Sequence, residues 1–460
     1  MTSRIAKSVV AVLLAGMVVP QAAAAGAKER YFIGKAGGIL GTPDQLARER
    51  LAVRIFNSAA VQAEMRKLEV LYAADSTAQL PDALRTVKRA ARATAMAQAT
   101  AMVNHDPARP GVFWGTTSPH KWGGVAMPLT GLMIDNPDNI YRGIPVDGLA
   151  AYEISGQVVG KAPAQATFIL HEVRSGADKK QKIKKQEDEN GYVALDQLPL
   201  GPDGRFTITI DSTPANGRIG HIQSNPDVHN GYIIIRDTLT DWASENPTRL
   251  SVRRVSGPKA GPVPREAELV KRAAAMTSSA GPYWLKWAHE RFYTQPANQF
   301  THDVNRVSGW GNIKCGHYRL GDDEALVFVL DAKRAAYLGF QLSDAWGQGQ
   351  SMDYMEGTGS LTSAQARANA DGTYSYALSV KDPGVHNWLN PAGLHAGTYC
   401  ARWQKLPAGV GTDDAVKRVE VVKLKDLKGI FSQKSDWVTP SQRAAQLRAR
   451  VASYRRRLLL

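Results

Sequence analysis

The tightest constraint on the fold of this chain is a two-residue hydrophobic period that recurs in short runs between turn residues. In YLGFQLS (residues 337–343), Leu338, Phe340 and Leu342 alternate with Tyr337, Gly339, Gln341 and Ser343. A strand here places three apolar side chains on one face and a phenol, an amide and a hydroxyl on the other. The same period links Phe206, Ile208 and Ile210, and again Tyr374, Tyr376, Leu378 and Val380. AYEISGQVV, ATFILHEV, YIIIRDTL and RLSVRRV are further strand-like runs, punctuated by turn-rich pieces such as GPDG and PANGR. ALVFVL is apolar throughout, as suits a strand covered on both faces. The pattern predicts a mainly β protein with antiparallel sheets.

Helical signals surround the β runs. Thr42, Pro43 and Asp44 supply a cap, a first-turn proline and an early acid, and further helices are expected over residues 58–74 and 81–103. The last of these carries Arg85, Lys88, Arg89 and Arg92, which read as a solvated face. Residues 104–136 then lose all period and are crowded with proline and glycine, yet contain Trp114, Trp122, His105 and His120. A long loop of this kind is expected to wrap a groove. A linker at 257–264 precedes a helix over 265–279, and Trp284, Trp287 and Ala288 share a helical face that reads as packing.

A chain of 460 residues exceeds one ordinary core. The division expected is a signal peptide (1–25), a helical region with the Pro/Gly-rich loop (26–133), a first β domain (134–256), linker and helices (257–306), a second β domain (307–436) and a basic C-terminal helix (437–460). The run at 178–190 is almost wholly charged and polar and reads as an exposed hairpin extension.

Arg4 and Lys7 before the apolar residues 8–19, with Ala23, Ala24 and Ala25 as a small-residue cleavage site, predict export to the periplasm or secretion. No later stretch is long and apolar enough for a membrane span. In an oxidising compartment Cys315 and Cys400 are expected to pair, two separately buried thiols being the alternative. Pairing would put His317, Arg319, Arg402 and Gln404 on one side of a sheet. The net charge of +15 is spread along the chain without a nucleic-acid-binding module. Six arginines and no acid follow Ser441, so contact with a membrane surface is conceivable. The stripe Leu447, Val451, Tyr454 and Leu458 favours docking onto the chain's own domain.

Four segments carry a family resemblance: NPDNIYRGIPVDGLAAYEISG (136–156), IIIRDTLTDW (233–242), YLGFQLSDAWGQGQSMDY (337–354) and KDPGVHNWLNPAGLHAGTYCARWQ (381–404). In this order they resemble the bacterial family catalogued as domain of unknown function 1214. The resemblance implies an immunoglobulin-like β-sandwich followed by a jelly-roll-like β-sandwich, with helices packed around them. It implies no reaction.

Zinc-protease, nucleophile-elbow, P-loop and dinucleotide signatures are absent, and the ten histidines show no metal-ligand spacing, so neither metal nor cofactor is expected. The candidate chemistry lies in the second β domain. Asp344 and Asp353 flank a glycine-rich turn and suit an acid and base pair, although aspartates beside turns commonly cap backbone groups. His317 and His386 are candidate bases. Tyr337, Gln341, Trp346, Tyr354, Trp388, Arg319 and Arg402 offer flat faces and donors for a ligand. The expectation is a hydrolase or lyase acting on an extracytoplasmic saccharide or other ring-bearing substrate in a jelly-roll groove, with a noncatalytic ligand-binding or envelope interaction protein as the alternative. Asn136, Asp138 and Asn139 read as a rigid corner, beside which Tyr141 and Arg142 are placed to line an interdomain cleft.

Overall fold

A computed structural model of the chain describes residues 30–172, 191–306, 309–348 and 357–460. The leader, the charged run at 178–190, Asp353 and Tyr354 lie outside the described residues. Helices α1 (Pro43–Phe56), α2 (Ala59–Ala74) and α3 (Ala83–Val103) form close to the expected ranges. Thr42 Oγ1 accepts the Gln45 amide at 3.1 Å, and Ser58 caps α2. Small side chains let α3 pack deeply, with Ala90, Ala91, Ala93, Ala95 and Ala99 all buried.

Helix α4 (Glu266–Ala288) is longer than its sequence pattern suggests. It runs unbroken through Pro282 into a wide turn at His289–Tyr293, because α2 and α3 pack along it. Trp287 then lies against Phe292 and His302, which fits the packing reading of the aromatic stripe.

The first strands are β1 (Phe32–Ile33), β2 (Phe113–Trp114), β3 (His120–Trp122) and β4 (Val125–Met127); β1, β3 and β4 form a small sheet. Next come β5 (Asn139–Val146), β6 (Ala151–Gln157), β7 (Gln165–His171), β8 (Gly191–Ala194), β9 (Arg205–Asp211), β10 (His221–Gln223), β11 (Gly231–Thr238) and β12 (Arg249–Ser256). They make two sheets, ordered β2-β5-β11-β7-β8 and β10-β9-β6-β12. Ile144, Phe168 and Ile233 from the first meet Ile154, Phe206 and Ile208 from the second in one core. Each such buried side chain contributes roughly 1.5–3 kcal/mol. The loop over 104–136 thus supplies an edge strand, β2, which at two residues is too short to show a period.

The second β unit comprises β13 (His302–Asn305), β14 (Gly311–Arg319), β15 (Glu324–Asp331), β16 (Tyr337–Ser343), β17 (Ser360–Thr362), β18 (Thr373–Leu378), β19 (Trp388–Leu389), β20 (Ala396–Gln404) and β21 (Val416–Lys423). Its sheets are β13-β14-β20-β16-β17 and β19-β18-β15-β21. Leu338, Phe340 and Leu342 face the shared core with Phe328, Tyr376, Tyr399 and Trp403, as the alternation predicts. Cys315 and Cys400 sit directly opposite each other on β14 and β20 and form a disulfide.

No described helix is long and apolar enough to cross a membrane. Helix α5 (Pro440–Arg456) docks through arginine as much as through its apolar stripe. Arg443, Arg450 and Arg457, seven residues apart, are all buried. Arg443 pairs with Asp382 at 2.9 Å, Arg450 bonds Ser360 Oγ at 2.7 Å, and Arg457 bonds the Pro137 carbonyl at 3.0 Å. Arg450 and Arg457 also lie over the Trp242 ring. Three of the six arginines are therefore turned inward while Arg448 and Arg455 stay exposed, and only Leu458 and Tyr454 of the apolar stripe are fully buried.

A half-exposed clamp ties α3 to the second β unit. His395 Nδ1 lies 2.6 Å from Asp82 Oδ2, and its Nε2 lies 3.0 Å from Asp322 Oδ1, with Arg85 on Asp82 and Lys381 on Asp322. Burial works to lower the His395 pKa, but the two carboxylates outweigh it and hold the value above the ordinary one. Asp82 and Asp322 are held below theirs. The histidine's contribution is therefore complete below about pH 6.5 and lost as pH rises through its raised pKa, while that of the acids is lost below about pH 4. Melting temperature should fall as pH rises above about 6.5, and this fall should shrink in His395→Gln; an identical profile would remove the clamp from the account.

Candidate functional site

The polar face of β16 is where the sequence places a binding wall. Register puts Tyr337 opposite Gln404, Gly339 opposite Arg402 and Gln341 opposite Cys400, so these residues share one side of the sheet with Cys315 and His317. That side is covered by protein. Tyr337 donates its hydroxyl to Asp138 Oδ2 at 2.7 Å and accepts from Asn136 Nδ2 at 2.8 Å. Gln341 Nε2 donates to the carbonyls of Ile134 and Asp135 at 2.9 and 3.0 Å. Arg402 donates to Gln341 Oε1 and, at 2.7 Å, to the Ile134 carbonyl. Thr238 Oγ1 donates to Gln404 Oε1 at 2.7 Å.

Tyr337, Gln341 and Arg402 are thus seam residues between the two β units, where a groove was expected. Burial drives the Asp138 carboxyl and the Tyr337 phenol upward, and pushes Asp135 up to about 6. The NPDN corner forms as predicted, Asn136 Oδ1 accepting the Asp138 amide at 3.1 Å, and it also closes this seam. Gly339 leaves the space that the Tyr337 ring occupies, since a Cβ there would overlap its phenol and come within 2.8 Å of Asp138 Oδ2. Gly339→Ala should cost about 1–3 kcal/mol, as overpacking of a closed interior does. A urea midpoint unchanged by the substitution would show that the seam yields.

The described acid and base candidates, Asp344, His317 and His386, are each engaged by other groups. Asp344 Oδ1 accepts the amides of Trp346 and Gln348, both at 2.9 Å, which is the turn-capping alternative. His317 lies beneath the Tyr293 ring at 5.5 Å, its Nδ1 without a partner among the described residues, and burial lowers its pKa. His386 sits beside α5, with Nδ1 3.0 Å from Asn387 Oδ1, and burial lowers its pKa too.

The aromatic candidates pack. Trp346 stacks on Tyr72 at 5.0 Å and donates to the Ala83 carbonyl at 3.0 Å, pinning the second β unit to the helices. Trp388 donates to the Ser379 carbonyl at 2.9 Å and lies under Arg443. Arg319 is exposed at the end of β14. Asp353 and Tyr354 lie outside the described residues. Among the described residues no three His, Cys, Asp or Glu side chains are grouped to hold a metal ion.

A concave site lies elsewhere, in a cleft of about 370 Å³ at the mouth of the first β unit. Strands β2 and β5 form one lip and β12 the other, because β2 and β12 are the outer strands of their sheets. The N-terminal turns of α1 and residues 110–112 cover it. Val112, Leu250 and Val252 reach the sandwich core from this mouth and remain partly exposed. Trp114 and Arg142 are register partners on β2 and β5, 2% and 4% exposed. Trp114 Nε1 and Arg142 Nε have no hydrogen-bond partner among the described residues.

Much of the remaining polar lining is engaged, the exposed Ser251 at the rim apart. The Arg142 guanidinium pairs with Asp237 and bonds the Thr248 carbonyl at 2.7 Å. Arg48 pairs with Asp44 at 2.8 Å and bonds the Val103 carbonyl. Gln45 donates to Glu49 Oε1 at 2.9 Å and exchanges hydrogen bonds with the Trp114 backbone. Glu49, fully buried, is further held by Trp122 Nε1 at 2.6 Å and His120 Nε2 at 3.2 Å. Residues 110–112 and Trp114 of the long loop line this cleft, as does Arg142, but it lies against the first β unit and not between the two β domains, and Tyr141 is not part of it; Gln45 and Val252 carry no sequence signal that marks them.

No family model matches the chain, and no curated protein does. Among solved structures, an uncharacterised protein from Burkholderia cenocepacia is similar with a TM-score of 0.63 at 22% identity, covering 82% of this chain and 100% of its own. A protein from Vibrio parahaemolyticus matches at a TM-score of 0.35 and 10% identity, over 63% of this chain and 90% of its own. The likeness to the Burkholderia protein is one of fold.

Proposed function

We propose that this chain is an exported, noncatalytic ligand-binding protein whose site is the cleft between α1 and the first β unit. The observation that carries the reading is the pairing, in one concavity, of partly exposed apolar side chains with two buried N–H donors that lack partners. Ligand sites have this character, an apolar lining with a few placed polar groups. Hydrolase or lyase chemistry has less support, since Asp344 holds a turn while His317 and His386 lie in separate surroundings. Export is supported by the leader's charge and apolar pattern and by the buried disulfide, a bond that persists in oxidising compartments. The paired sheets and the four quoted segments support an immunoglobulin-like unit followed by a jelly-roll-like unit in a member of the domain of unknown function 1214 family.

Val112→Trp, at a partly exposed position of the covering loop on the edge of the core, should fill the cleft, and its melting temperature without ligand shows what the larger ring costs the core. In a melting-shift screen of small ring compounds, a ligand at a hundred times its Kd should stabilise the native protein by about 2.7 kcal/mol. That gain should vanish in Val112→Trp. Ligands that stabilise both proteins equally would place the site elsewhere.

A further inference from the structure

We infer that the cleft takes a neutral, largely apolar molecule that presents a hydrogen-bond acceptor, such as a ketone or ether oxygen, to Trp114 and Arg142. This inference rests on the cleft being the binding site and adds the chemical class of its occupant.

The unmet groups are both donors. Trp114 Nε1 and Arg142 Nε each carry one N–H that is buried and unpartnered among the described residues. Because the two residues face each other across β2 and β5, their side chains leave the same side of the sheet. A buried donor without an acceptor costs about 1–3 kcal/mol, a cost that an incoming acceptor removes. A hydrocarbon has no atom that can do this.

The charge balance sets the second part of the class. Arg142 is already neutralised by Asp237, and Arg48 by Asp44. The α1 N-terminus, otherwise favourable to anions, has Asp44 in its first turn and its Gln45 amide taken by Thr42. A carboxylate entering the cleft would find no unpaired cation, and a buried charge lacking a counter-charge costs several kcal/mol. Gln45 has both ends of its amide engaged, so it offers nothing to a ligand rich in hydroxyls. A volume of about 370 Å³ sits at the low end of small-molecule pockets, ~300–1,000 Å³, which suits one or two fused rings.

Four probes of comparable reach test this by calorimetry on the full-length protein: methyl 2-naphthyl ketone, 2-naphthoate, 2-ethylnaphthalene and maltose. The ketone is expected to bind at least tenfold more tightly than the other three. In Trp114→Phe, which keeps a ring and removes its N–H, the ketone should lose most of its advantage over 2-ethylnaphthalene. Should that variant fold poorly, the four-probe ranking on the native protein decides alone. Naphthoate or maltose binding best, with binding lost in Val112→Trp, would overturn the class and leave the site standing. Ketone binding that survives both Val112→Trp and Leu250→Trp would overturn the site. Binding by none of the probes would overturn both.

Discussion

Asp237→Ala should destabilise the protein by about 3–5 kcal/mol, the usual effect of leaving a buried charge without its partner. Asp237 is fully buried and is the counter-charge of Arg142, itself 4% exposed. Its Oδ1 also accepts the Thr248 hydroxyl at 3.0 Å, while Thr248 accepts from Arg142 at 2.8 Å. Alanine leaves the guanidinium only Thr248 in an interior built from isoleucine and phenylalanine. Asp237→Asn keeps an acceptor of similar shape and should cost visibly less. Urea unfolding of the two variants side by side gives the comparison, and equal losses would mean that volume, and not charge, is what Asp237 supplies. The same pair fixes the Arg142 side chain at the cleft, so the measurement bears on the site as well as on stability.

Replacing both cysteines by alanine should cost roughly 4 kcal/mol, because the bond joins residues 85 apart and removes that loop's entropy from the unfolded chain. Both sulfurs are buried beneath α4 and its final wide turn, with Ile313 and Phe292 beside them. A reductant added to the folded protein should therefore act slowly, and reduction should follow unfolding. The denaturant midpoint of the double variant should fall to that of the reduced native chain. Coincidence of the oxidised and reduced midpoints would show that sheet pairing alone holds β14 to β20.

Strand positions and facing were legible from the two-residue period, as Leu338, Phe340 and Leu342 show in the second core and Phe206, Ile208 and Ile210 in the first. What covers the polar face of β16 was not legible. Tyr337, Gln341 and Arg402 form the same pattern whether they meet water, a ligand or a polar protein surface. Here the surface is the backbone of Ile134 and Asp135 and the side chains of Asn136 and Asp138, some 200 residues earlier. The same ambiguity affected α5, whose arginines look like a face for membrane or solvent and instead meet Asp382, Ser360 and Trp242.

The cleft was legible only in pieces. The tryptophan-bearing loop and Arg142 suggest a groove, yet Trp114, Arg142 and Val252 become neighbours only when two sheet edges come together under α1. No local period encodes that meeting. The donors' lack of partners is still less visible, because it depends on how Asp237 and Thr248 hold the rest of the guanidinium and Gln45 the Trp114 backbone.

The most direct test of the account is a crystal of the native protein soaked with methyl 2-naphthyl ketone. Difference density is expected in the cleft, its oxygen within hydrogen-bond distance of Trp114 Nε1 or Arg142 Nε and its rings against Val112, Leu250 and Val252. Density instead beside Tyr337, His317 or Trp346, with the cleft empty, would contradict it.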